Sequence, residues 1–395
     1  MRKLLNRNGL LTRDVVLLLS AGLAYFIVAG ISFPVLPRLV KQELNGGEFE
    51  IGLAFGVMGL GMLAMRPLVG FLADKYGRKQ LIVVGAIVII ITQLLHVPAA
   101  RSSLGMLLLV RFVLGLGSSA MYVGQATTAT ELPPKSRSGE IFSLFNVSVV
   151  AGFAVGPVVG EITLQREGFS TAFAVAALFA FLCLLLGLFL PETKPQGVKA
   201  HFEGVRSLIH PIAVRAGVVS FLLFGAFLSF NAFITPFAES MGVGTVRWIL
   251  LSYALTSVLT RLYGGRLIDT VDRRTLGSCS HAIVIIGLLV LVVFNNHPSL
   301  YVGGIIMAIG LSFNVPLMIV IAADSASPDE RSRVVATVIL FGDLANSFAA
   351  FGFGALADVI GFRGMYGIVA AMVAFAALLY RSRFTAPLTG IQRAN

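Results

Sequence analysis

Three ionisable residues sit inside long apolar runs, where ordinary packing has no use for charge. Arg111 lies in LLLVRFVLGLGSSAMYVGQ, and Asp343 lies in VVATVILFGDLANSFAAFGFG. Glu161 lies nearer the end of its run, where water is expected to be close. An ionised side chain at membrane depth costs on the order of 3 kcal/mol, so it must meet a partner or a wet cavity. A carboxylate held there takes up and releases protons, and a guanidinium there holds an anion or a backbone carbonyl. Gly115, Ser118, Tyr122 and Gln125 follow Arg111 at helical spacing and make one polar stripe with it. Asn346, Ser347 and Ala350 share the face of Asp343. Three uses are open to Asp343: carrying a proton, binding a cationic group, or pairing with an arginine such as Arg66. Arg111, Asp343 and Glu161 are the candidates for proton coupling.

A second kind of chemistry is conformational. The segment Gly70-Phe-Leu-Ala-Asp74-Lys-Tyr-Gly77-Arg78-Lys79 puts an acid, a base and two glycines in one short turn. Gly70 allows a neighbouring helix to approach closely. Asp74 suits the positive end of a helix N-terminus, and Arg78 suits a carboxylate from another loop. Elsewhere, Gly152, Gly156 and Gly160 fall at i, i+4 and i+8, giving a smooth helix face, and Pro157 bends that helix. Tyr25, Phe26, Tyr122, Gln125, Asn146, Asn231, Asn314 and Asn346 are candidates to line a substrate cavity. Phe33 and Phe230 suit an apolar substrate equally well.

The elements that must position these residues are membrane helices. Hydrophobic residues make up 57% of the 395-residue chain and charged ones 12%, with mean hydropathy +0.90. A soluble domain carries about 25% charged residues. Apolar runs cover roughly 15–39, 51–72, 80–98, 104–129, 139–163, 170–190, 212–238, 246–268, 277–294, 299–322, 334–357 and 364–380. Each spans about 30 Å as a helix. The basic start and first apolar run read as a transmembrane helix in preference to a signal peptide, because the repeat described below requires it.

The net charge of +11 sits in short bunches between the runs, not in a nucleic-acid-binding stripe. Nineteen of the 30 Lys and Arg residues fall in one alternate set of loops and six in the other. The bias places both termini in the cytoplasm of an inner-membrane protein. Histidine clusters, a Walker loop and a nucleophile elbow are all missing, so neither an enzyme, a cofactor nor a metal site is expected. Cys183 and Cys279 read as small buried packing residues.

The chain repeats itself. RPLVGFLADKYGRKQ from Arg66 aligns without a gap on RLYGGRLIDTVDRRT from Arg261, at an offset of 195. Arg66/Arg261, Gly70/Gly265, Leu72/Leu267, Asp74/Asp269 and Arg78/Arg273 are identical, and Pro133/Pro328 match at the same offset. Two halves with parallel topology follow: a six-helix bundle over 1–190, a cytoplasmic linker over 191–211, and a second bundle over 212–395.

The turn at Gly70–Lys79 resembles the loop 2–3 signature of the major facilitator superfamily, and the layout resembles that family over essentially the whole chain. The resemblance implies an all-α membrane protein with twelve transmembrane helices in two pseudo-symmetric six-helix bundles. It implies a conformational latch in which Asp74 faces the start of helix 11 and Arg78 pairs with Glu131, with Asp269 and Arg273 as the second copy. The arginine of helix 4 in that family is linked to proton transfer, which is what Arg111 resembles.

The Gly152–Gly160 segment resembles the signature of the superfamily's proton antiporters, the drug and metabolite efflux branch. It departs from that signature in having Glu161 for the closing glycine and Ser143 for an upstream one. No acid lies between Ala21 and Leu36, which argues against cationic multidrug export. The leading expectation is proton-coupled efflux of a small amphiphilic or metabolite-like solute by rocker-switch alternating access, through a monomer in the lipid bilayer. A proton symporter or facilitator importing a nutrient, and a non-transporting receptor on the same scaffold, are the alternatives.

Overall fold

The computed structural model describes residues 11–132, 138–194, 209–264, 267–327 and 330–383. Pro133, Pro328, Gly265 and most of the expected linker lie outside these, as does the side chain of Asp269. Among the described residues, nine helices are long and apolar enough to cross a bilayer. Two of them, 52 and 53 residues long, turn back on themselves at Gly168 and Gly361. Both glycines take positive φ, 81° and 71°, a region that admits a glycine without strain and so allows a connection of a single residue. Counting each of these as two crossings, and adding a shorter helix that carries Arg261, gives the twelve expected spans.

These are α1 (Arg13–Leu44), α2 (Glu48–Tyr76), α3 (Arg78–Ser102), α4 (Leu104–Glu131), α5 (138–167) and α6 (169–189) in the first half. The second half holds α7 (Val214–Ser240), α8 (Arg247–Gly264), α9 (Arg273–Val293), α10 (His297–Asp324), α11 (331–360) and α12 (362–383). Polar residues start the helices where they leave the apolar medium. Thr12, Ser103 and Asn296 accept from the backbone N–H three residues on. Asp272 does the same for α9, and the hydrogen bonds from Thr275 hold its carboxyl below the usual carboxylate range.

Its counterpart at the repeat offset is Gly77, which has no side chain to cap α3. Glu192 supplies the missing carboxylate, accepting from Arg78 N at 2.8 Å and Lys79 N at 3.2 Å. Gly77 is at φ +103°, and a Cβ there would run into that carboxylate.

The glycine face of α5 packs on α1. A Cβ at Gly156 would lie 2.6 Å from Ile27 O and 2.7 Å from Gly30 Cα, and one at Gly160 would lie 2.9 Å from Ile31 O. Gly152 stands equally close to Leu23 O and Phe26. A second glycine seam joins the two halves. Gly52, Gly56 and Gly59 of α2 lie against the backbone of α11 from Asn346 to Gly354. At these glycines the backbones approach closely, and the Phe351 ring packs on Gly56.

Gly70 behaves otherwise. It is exposed, and a Cβ there would meet nothing within 4 Å. The close helix approach expected of it is not made among the described residues. Cys279 is also exposed, whereas Cys183 is buried.

Replacing Gly156 by leucine forces α1 and α5 apart. A loss of about 1–3 kcal/mol is expected. Thermal unfolding in detergent should show a clear drop in melting temperature for Gly156→Leu and none for Gly352→Leu, whose surroundings are open.

Candidate functional site

A cavity of about 980 Å³ lies between the halves. Its wall takes Tyr25, Phe26, Phe33, Tyr122, Asn146, Asn231, Asn314 and Asn346, together with Arg66, Arg111, Arg261 and Asp343. Gln125 is not part of it. Its amide donates to Cys183 Sγ at 3.3 Å and Met121 Sδ at 3.5 Å inside the first bundle, so it packs α4 against α6. Phe230 is likewise turned away, stacked on Tyr253 with ring centroids 4.8 Å apart. Periodicity gave both residues a polar or aromatic face but not the direction in which that face points.

The asparagines reach the cavity with their amide nitrogens already engaged. Asn146, Asn231 and Asn314 donate to the carbonyls of Phe142, Phe227 and Gly310, one turn back. Asn314 Oδ1 stays without a partner. Tyr25 donates to Ser118 O at 3.4 Å.

Arg66 and Asp343 form an ion pair across the halves, from α2 to α11. Of the three uses open to Asp343, pairing with Arg66 is the one found in this state. Arg111 is 1% exposed and meets no carboxylate among the described residues. Its Nε donates to Ala54 O at 2.7 Å, its guanidinium lies over the Phe55 ring at 5.5 Å, and Nη1 has no partner.

Glu161 is not in the cavity. It is fully buried at the face opposite the termini, not near water as its place in the run suggested. It accepts from both terminal nitrogens of Arg38 at 3.1 Å, from Val246 N at 2.9 Å and from Arg247 N. A carboxylate of the first half therefore caps the N-terminus of α8 in the second half. Arg38 continues the network to Glu239 and to Gly244 O. The same arrangement recurs with the halves exchanged. Asp358 of α11 accepts from Glu48 N and Phe49 N, both at 2.9 Å, and so caps α2. Sequence reasoning missed Arg38, Glu239 and Asp358, which look like ordinary loop charges until the halves are docked.

On the termini-bearing face, Arg78 pairs with Glu131 through two bonds of 3.0 and 2.9 Å. Asp74 lies 3.0 Å from Arg78, and the side chains that start α11 lie outside the described ones. Thr193 donates to Glu131 at 2.8 Å. In the second half Arg273 pairs with Asp324, which the sequence reading did not single out. Each of these pairs stays within one half. Polar contacts between halves are found on the opposite face and at Arg66–Asp343.

A sequence profile described as Major Facilitator Superfamily matches residues 17–247 and 218–393. Multidrug resistance protein MdtL of Salmonella dublin is 30% identical over 253 residues, 62% of this chain and 60% of that protein. The MdtL of Salmonella typhimurium matches over the same extent. The match thus spans less than two thirds of these relatives. A D-xylose-proton symporter superposes with TM-score 0.78 at 16% identity, over 93% of this chain and 96% of that one. The nucleoside transporter NupG gives 0.77 at 15% identity, over 95% and 100%. At such identities the likeness carries the fold.

Removing a partner from a buried ion pair costs about 3–5 kcal/mol. Glu161→Ala is therefore expected to loosen the seal. Thr235, fully buried where α7 meets Phe33 O of α1, is a suitable reporter. With Cys183 and Cys279 replaced by serine, Thr235→Cys should react with maleimide at least tenfold faster in Glu161→Ala than in the otherwise unchanged chain. Equal rates would mean that the seal rests on packing alone.

Proposed function

The chain belongs to the Major Facilitator Superfamily, and from that premise we propose that it exports a small amphiphilic or metabolite-like solute in exchange for protons. It is a multi-pass membrane transporter with efflux-type relatives. In our reading it works as a monomer in the inner membrane, with both termini in the cytoplasm. The bundles 1–190 and 212–395 rock about the segment 191–211. The state described is then open to the cytoplasm and sealed outside.

One observation carries the reading: the Arg66–Asp343 pair, a carboxylate and a guanidinium from opposite halves within the solute cavity. Protonating Asp343 deletes the attraction between the halves at that point. The proton thereby changes the relative energies of the two states, as coupling requires. Ionised and paired with Arg66, Asp343 favours the inward-open state, so a proton carried in from outside is released to the cytoplasm as the pair forms. A solute then drives the return. Arg111 supports the reading as a positive charge in the same cavity, and Glu161 acts in it as the outer seal. The smooth glycine face of α5 against α1 keeps the first bundle rigid while it rocks.

The test uses protein in liposomes with a pH-sensitive dye inside, an imposed proton gradient and candidate solutes. Solute-dependent proton movement opposite to the solute is expected, and Asp343→Asn should abolish it while solute binding persists. Movement in the same direction would make the protein a symporter. Solute flux without proton movement, unchanged in Asp343→Asn, would leave a facilitator.

A further inference from the structure

The charged side chains of the cavity do not balance. Among the described residues, its wall holds three guanidiniums, from Arg66, Arg111 and Arg261, against one carboxylate, from Asp343. That carboxylate is taken by Arg66. The rest of the wall is neutral and largely aromatic, with Phe26, Phe33, Phe153, Phe227, Tyr122 and Tyr253 among its residues.

Arg261 is the informative member. At the repeat offset it is the counterpart of Arg66, so the two occupy equivalent places on α2 and α8. Arg66 receives its acid from α11 of the opposite half. The equivalent helix for Arg261 is α5, which has no acid between Glu140 and Glu161 and carries Ser148 where Asp343 would fall at the repeat offset. Arg261 has no ion-pair partner among the described residues. Arg111, 1% exposed, leaves Nη1 unpartnered as well. Arg111 is buried and Arg261 is exposed to the open cavity, and a surplus of positive charge there is lowered in energy by a negative charge that arrives from solution.

We propose that the solute is an organic anion: one carboxylate-class group received by Arg261, on an apolar body that lies among the phenylalanines. This deepens the transport reading above and rests on it. The cavity volume is at the upper end of the range of about 300–1,000 Å³ typical of small-molecule sites. Two surplus positive charges allow the anion to enter while Asp343 stays ionised, so an outgoing anion need not carry a proton with it. A cationic solute would face two uncompensated guanidiniums. An inorganic anion would satisfy the charge but leave the aromatic wall unused.

The test compares three probes with one body: 2-naphthoate, 2-naphthamide and 2-naphthylmethylammonium. Their binding to the full chain in detergent is measured by equilibrium dialysis, with inorganic phosphate as competitor. The expected affinity ratio of naphthoate to naphthamide is at least tenfold in the native chain and in Arg261→Lys, and falls to within twofold of unity in Arg261→Gln. Naphthylmethylammonium should bind most weakly. A ratio near unity in the native chain, preference for the cation, or binding of none of the three would overturn the proposal. So would a ratio untouched by Arg261→Gln, or phosphate competing as strongly as naphthoate. Because binding needs no gradient, anion preference without proton movement in liposomes would remove the coupling and keep the site.

Discussion

Two carboxylates placed on the helix N-termini of the opposite half join the two bundles of this molecule. A helix start leaves backbone N–H groups without partners, and in an apolar setting each of them must be satisfied. Glu161 satisfies those of α8, and Asp358 satisfies those of α2. Since each bond joins one bundle to the other, the face opposite the termini is closed by the same groups that finish its helices. The glycine seam between α2 and α11 adds close backbone packing beneath. The seam and the caps together close that face over the cavity.

The repeat supplies matched parts, and the departures from it supply the chemistry. Arg78–Glu131 and Arg273–Asp324 are equivalent pairs at the helix ends of each half. Arg66 and Arg261 are equivalent by position, yet among the described residues a carboxylate reaches one and not the other. Gly77 and Asp272 begin equivalent helices. The first borrows its cap from Glu192, which ties the end of the first bundle to the turn between α2 and α3.

Span number and the two-bundle plan were legible because run length and repetition are properties of the chain alone. Arg66 as a partner of Asp343 was also within reach, since an acid buried in a membrane helix needs a base and few are available. What escaped the sequence depends on how the bundles dock. Gln125 has the polarity of a cavity residue but turns toward Cys183. Arg38 and Glu239 read as loop charges until Glu161 falls between α1, α5 and α8. Gly70 carries the spacing for a close approach that this state does not make, so a single conformation displays only part of what the motif encodes.

The two caps that close the far face are built alike but sit in different media. Glu161 is sealed from solvent with Arg38 beside it, whereas Asp358 is exposed. Dissolved ions weaken an attraction at the surface far more than one in the interior. Salt is therefore expected to loosen the Asp358 cap on α2 more than the Glu161 cap on α8. The two joints are thus alike in plan but differ in how they answer ionic strength.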